Sequence, residues 1–211
     1  AEVGERVEMI KHDGKVRAKE LMDDLLSSAE EAGWIVRQST LVDSAGYIHR
    51  VAEEAGAKSV LQSDHEVLDE IGLDTAFVAS SIELRKIAYD DSGKAKDSQR
   101  AIFREDMIVA DIGVTGVRYA IAETGSVSID GGKGASRLIS LLPPIHVAVI
   151  RPSQILSSLD ELFTMRRNEF YQTGKLDYTN IISGPSRSAD IEQTLIKGMH
   201  GPREVHMIVV T

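Results

Sequence analysis

Near the start of the chain Ala18, Leu21, Met22, Leu25, Leu26, Ala29 and Ala32 recur at the three- and four-residue spacing of one helix face, and Gly33 follows them. The pattern predicts an amphipathic helix over residues 15–32 with a glycine C-cap. The WIVRQ run, rich in β-branched and aromatic residues, predicts a strand. Asp43 then reads as an N-cap before Ile48, Val51, Ala52 and Ala55, and Gly56 as the end of that helix. KSVLQS predicts a short buried strand, HEVLDEIG a brief helix and TAFVAS another strand. Helix, strand, helix, strand is the order of an α/β layer fold.

The polar stretch DDSGKAKDS, residues 90–98, predicts a flexible loop, and a helix is expected over Gln99–Glu105. Then come MIVADIGVTGV, ETGSVSID and IHVAVI, apolar runs with little alternation, as strands buried on both faces of a parallel sheet require. Ile155, Leu156, Leu159, Leu162, Phe163 and Phe170 predict a helix whose start is marked by Ser158 and Glu161 at capping-box spacing. A strand at TNIIS, a capped helix at ADIEQTLIKG and a last strand at REVHMIVV complete the series. The fold expected is α/β: a layered, parallel-rich sheet with helices on both faces, in one domain spanning residues 1–211.

Composition removes several function classes. With no cysteine, the chain has no disulfide, no thiolate nucleophile and no cysteine-ligated zinc or iron–sulfur cluster of its own. Its 33 acidic side chains outnumber 24 basic ones, giving a net charge of −9 that opposes a nucleic-acid partner. The opening AEVGERVEMIKHDGK lacks the order of a secretory signal, and no apolar run approaches the roughly 18 residues of a membrane span. A cytoplasmic protein with no membrane span is expected.

No phosphate loop, dinucleotide fingerprint, HExxH or GxSxG elbow occurs, and the six histidines have no zinc spacing, so no metal is expected. His146, inside IHVAVI, reads as a core histidine. Three segments are denser in Gly, Ser, Thr, Asp, Glu and Arg than connectors require. In DIGVTGVRYAIAETGSVSI, Gly113, Gly116 and Gly125 permit close backbone approach, beside Glu123 and Thr124. Glu123 is either a general base or nucleophile, or a turn carboxylate that accepts backbone N–H bonds. In ASRLISLLPPIHV, Arg137 either anchors an anion or pairs with an acidic neighbour such as Glu123. In the third segment, Gly184, Ser186, Arg187 and Ser188 occupy an expected strand-to-helix junction, where N–H groups, hydroxyls and a guanidinium would converge on an anion. Asp190 and Glu192 supply a competing internal partner for Arg187. A ligand crevice would require residues 113–126 and 184–190 to meet at one end of the sheet.

AETG ahead of a strand, RLISLLPPIHVAV and SGPSRSADIEQTLIKGMHGPREVHMIVV together resemble the LUD domain family. The resemblance is strong over residues 100–211 and is carried above all by the GPSR-x-ADIEQ…HGP pattern. It implies a fold similar to the sugar-phosphate isomerase, glucosamine-phosphate deaminase and coenzyme A transferase-like (NagB/RpiA/CoA transferase-like) group. It also implies participation in oxidation of L-lactate to pyruvate alongside iron–sulfur lactate utilization proteins, with the clusters on those partners and no cofactor in this chain. Glu123 in AETG matches the place of the nucleophilic glutamate of coenzyme A transferases, although Thr124 differs from the residue usual there. The other function class is a self-sufficient enzyme or binding protein for an anionic ligand such as a phosphorylated sugar, a folate or a coenzyme A ester. A scaffold protein with a vestigial crevice is the third.

Overall fold

The computed structural model describes residues 2–87, 105, 107–130, 136–175, 178–189, 195–198 and 200–211. Six parallel strands form its centre: β1 (Ile35–Ser39), β2 (Ser59–Ser63), β3 (Glu83–Ile87), β4 (Ile112–Gly116), β7 (Ile145–Ile150) and β12 (Glu204–Val210). Their order across the sheet is β1-β12-β7-β4-β2-β3. The expected strands at WIVRQ, KSVLQS, IHVAVI and REVHMIVV are all present. Side chains of β7 divide between the faces: Ile145, Val147 and Val149 enter one core cluster, Ala148 and Ile150 the other. This two-sided burial is why the run shows no alternation.

Helices α3 (Leu41–Glu54), α4 (Glu66–Glu70) and α5 (Leu73–Phe77) cover the first face through Ile48, Ala52, Val67, Leu73 and Phe77. On the other face lie α2 (Ala18–Ala32), α6 (Ser136–Leu141) and a second, four-stranded sheet that the pattern did not announce. That sheet contains β5 (Tyr119–Ile121), β6 (Ser126–Asp130), β8 (Ile155–Leu156) and β9 (Thr179–Ile182), in the order β8-β5-β6-β9. Leu21, Leu25 and Ala29 of α2 pack between the two sheets, against Ala120, Val127, Ile150 and Met207.

Several boundaries differ from the expectation. The helix predicted over 15–32 is α2, which starts at Ala18; Lys15 and Val16 instead end a separate helix, α1 (Glu2–Val16), whose buried residues Val7 and Ile10 are too few to print a stripe. Gly33 is the C-cap, with φ +96°. The N-cap of α3 is Thr40 rather than Asp43: its hydroxyl accepts from Asp43 N at 3.2 Å and donates to the Asp43 carboxylate at 2.7 Å. TAFVAS is no strand, because Leu73 and Phe77 lie one helical turn apart and both enter the core, whereas Val78 is exposed. The edge strand is instead the polar ELRKI of β3. MIVADIGVTGV is a strand only from Ile112, since Met107–Val109 is helical.

Ile155 and Leu156 belong to β8, not to the following helix α7 (Leu159–Thr173). That helix buries Leu162 and exposes Phe163 and Phe170. Ser158 Oγ accepts from Glu161 N at 3.4 Å, while the Glu161 carboxylate reaches one residue further back, to Ser157 N at 2.7 Å. The helix expected at ADIEQTLIKG is replaced at its ends by an antiparallel hairpin, β10 (Arg187–Ala189) with β11 (Leu195–Lys197). Residues 190–194, with Asp190 and Glu192, lie outside the described residues, as do the expected loop 90–98 and residues 99–104. Among the described residues no helix is long and apolar enough to cross a membrane.

Candidate functional site

The second half of α2 is the platform on which two motif-bearing turns meet. The AETG turn between β5 and β6 crosses it at Gly125, whose φ is +59° and whose Cβ, if present, would lie 2.4 Å from Ala29 N. Ser28 Oγ donates to Ala122 O at 2.5 Å from beneath. The SGPSR turn crosses one helical turn later at Gly184, with φ +90° and a hypothetical Cβ 2.2 Å from Ala32 O. No side chain fits at either crossing, so glycine is required by both the dihedral and the space. Thr124 Oγ1 donates to Ser126 Oγ at 2.8 Å, and Ser126 Oγ lies 2.6 Å from Ser183 Oγ, tying the turns together. Arg187 Nη2 donates to Ala32 O at 3.0 Å, a cation on the negative end of α2.

Ser186 links this junction to the HGPR loop. Its amide donates to Pro202 O at 2.8 Å, its carbonyl accepts from Gly198 N at 3.1 Å and its hydroxyl accepts from His200 N at 3.3 Å. Beside it opens a cavity of about 670 Å³. It is lined by Leu138, Leu141, Leu142 and Pro144 together with Gly198, His200, Gly201 and Arg203. A lining that combines apolar side chains with an arginine and a histidine is compatible with a small organic anion, and the volume lies in the range of small-molecule sites. The cavity is at the amino ends of β7 and β12, not beyond the carboxyl ends of the strands where α/β sheets usually bind ligands.

The remaining sequence candidates are spread out. Glu123 is exposed; its amide donates to Ser157 O at 3.0 Å and its carboxylate accepts from Leu159 N at 3.3 Å, in the first turn of α7. That is the turn-acceptor arrangement. Gly113 is inside β4, where a Cβ would lie 1.9 Å from Ile139 O, so α6 seats directly on the strand. Gly116 ends β4 against the His65 ring. Arg137 stacks on Tyr178, its Cζ 4.8 Å from the ring centroid, rather than pairing with Glu123. Ser188 is paired through the β10–β11 ladder with Ile196. Thus Thr124, Gly125, Gly184, Ser186 and Arg187 come together around α2, while Gly113, Gly116 and Arg137 do not join them.

His146 is fully buried, with Nε2 2.9 Å from Thr115 Oγ1, and burial pushes it down to about 3. Burial likewise lowers His65 at the carboxyl end of β2. Sequence reasoning missed Arg203, treated His200 as a turn residue, and passed over Ser28, Ser126 and Ser183. Arg203 directly follows the HGP of the motif, a signal available in the sequence; the serines carry no pattern of their own. Missed as well was an ionic cluster in which Asp130 and Glu169 meet Arg118 and Arg166 between α7 and the small sheet.

A parallel six-stranded layer, a small mixed sheet and two motif-bearing turns joined on one helix define a layered α/β protein with a cavity beside the turns. The chain belongs to the LUD domain family, whose model matches residues 22–210. It is 36% identical over 156 residues to lactate utilization protein C of Shouchella clausii (strain KSM-K16), covering 74% of this chain and 63% of that one. It is 23% identical over 249 residues to the uncharacterized electron transport protein YkgF of Escherichia coli (strain K12), covering 92% of this chain and 51% of that one. The match therefore spans less than two thirds of either relative's length. A crystal structure of a DUF162 family protein from Deinococcus radiodurans at 1.70 Å resolution shares the fold, with a TM-score of 0.62, 20% identity, and coverage of 92% of this chain and 98% of that one.

Proposed function

We propose that this chain is a cytoplasmic component of an L-lactate oxidation system that acts with iron–sulfur partner proteins. The observation that supports this reading is the 36% identity to lactate utilization protein C. Oxidation of lactate to pyruvate releases two electrons and two protons. Because these 211 residues hold no cysteine, cysteine-ligated clusters that accept those electrons lie outside them. The role left for this chain is to hold a small carboxylate in the cavity beside the SGPSR and HGPR turns, where Arg203 and His200 supply the polar part of the lining. Glu123 does not line that cavity, so its candidacy for proton transfer requires the substrate to reach the AETG turn, where the carboxylate would exchange its bond from Leu159 N for a substrate proton.

Lactate-dependent dye reduction by the reconstituted system tests the proposal. Omitting this chain is expected to remove most of the rate, and a rate that does not change would overturn the reading. Glu123→Gln keeps an oxygen that can accept from Leu159 N, so it separates the two roles of that residue. Loss of turnover with unchanged stability supports proton transfer, and full turnover assigns Glu123 to the turn alone.

A further inference from the structure

Between α1, the start of α2 and the β5–β8 side of the small sheet lies a second cavity, of about 360 Å³, remote in its lining from the motif-bearing turns. Its apolar surface comes from Ile10, Ala18, Ile155, Leu156, Met165 and the Tyr119 ring. The Tyr119 hydroxyl is spent on Glu169 at 3.0 Å. The charged residues of the lining are Lys11 and Lys15, and no acidic residue joins them. On a chain of net charge −9, a concavity whose charges are all positive is set apart for an anion. Lys11 is paired with Glu8 at 2.9 Å, whereas Lys15 makes no hydrogen bond or ion pair among the described residues and acts on Glu8 only at longer range.

Gly14 lines the cavity, and a Cβ there would meet nothing within 4 Å. Nothing in the backbone requires that glycine, which is not among the positive-φ positions, and a glycine inside a helix is destabilising. The α1 wall and Ala18 precede residue 22, where the match to the family model begins, and the rest of the lining lies within it.

We propose that this cavity binds a small amphiphile of the medium-chain fatty acid class, its carboxylate on Lys15 and its aliphatic body against Ile155, Leu156 and Met165. Aliphatic walls with an adaptable methionine suit a flexible chain, and the cavity is of small-molecule size. Calorimetric titration of the full chain with decanoate, below its micellar range, is expected to show saturable one-to-one binding. Lys15→Gln should weaken decanoate by about tenfold and leave decanol unchanged. Gly14→Leu should abolish binding of both, with Met165→Trp filling the slot from the opposite wall should the first variant fail to fold. Arg203→Ala, at the other cavity, should leave the titration as it is. Absence of saturable decanoate binding, binding indifferent to both Lys15→Gln and the filled slot, or binding lost with Arg203→Ala would each overturn the proposal.

Discussion

His146 is held near the amino end of β7 with one ring nitrogen on Thr115 and the other, Nδ1, without a protein partner among the described residues. Charging it there would place a cation between two apolar layers, which is why its folded-state value falls to about 3 from an ordinary 6.5. The unfolded chain protonates this ring near pH 6.5 and the folded chain does not, so the unfolded state binds more protons between those two values. Stability is therefore fully present above pH 6.5 and falls as the pH is lowered, by up to about 1.4 kcal/mol per pH unit from this group. His65 is lowered too and acts in the same direction. Urea midpoints between pH 6.5 and 5, above most carboxylate titration, should show the fall, and His146→Leu should flatten it. A midpoint that does not move over that range in the parent chain would contradict the assignment. Glycines provide a second measurement at this scale. Gly56 and Gly174 have φ of +63° and +68° with open space around a Cβ, so alanine there meets only the dihedral penalty of about 1–2 kcal/mol. Gly125 and Gly184 add a collision with the α2 backbone, and alanine there is expected to destabilise by about 2–4 kcal/mol. Equal losses at all four positions would show that α2 yields to the turns.

At the scale of elements, the sequence was legible where burial is strong and regular. Strands β1, β2, β7 and β12 lie within apolar or β-branched runs, and α2 shows its stripe because Leu21, Leu25 and Ala29 all face the core. Legibility failed where the pattern is short or shared by two elements. Phe77 lies in a stretch that also reads as a strand, but it is one helical turn from Leu73, and tertiary packing of both against α3 decides for the helix. Ile155, Leu156, Leu159 and Leu162 form one apolar series that the fold divides between β8 and α7, because Ser158 starts a helix in its middle. The small sheet could not be foreseen from strands of two to five residues: β5 and β6 are neighbours across the AETG turn, but their outer partners β8 and β9 come from distant parts of the chain. The candidate site was half legible for the same reason. Both turns carry glycines that a motif records, but their meeting depends on α2, and nothing in either motif names Ser28, Ala29 or Ala32 as the surface on which they lie.

At the scale of the whole molecule, the family-matched segment 22–210 contains both sheets, whereas α1 lies outside it. Yet α1 is not a loose appendage. Val7 and Ile10 are buried, Ile10 joins Ile121, Leu156 and Leu162 in one cluster, and Arg6 pairs with Asp160 at the start of α7. Burial of those two side chains stabilises the fold by about 3–6 kcal/mol, and the exposed ion pair adds little. The central sheet draws on none of it. Its cores are closed by α2, α3, α4, α5 and α6 together with the small sheet. Truncation to residues 18–211 should accordingly leave a cooperatively folding α/β chain that is less stable by that amount in chemical denaturation. It should expose Leu156 and Leu162, raising dye binding, and lose the slot built with Lys11 and Lys15. Lactate-dependent dye reduction should survive, because the α2 platform and both motif-bearing turns remain. A truncated chain that does not fold would make α1 part of the obligatory core. One with unchanged stability would place α1 off the surface that Val7 and Ile10 cover.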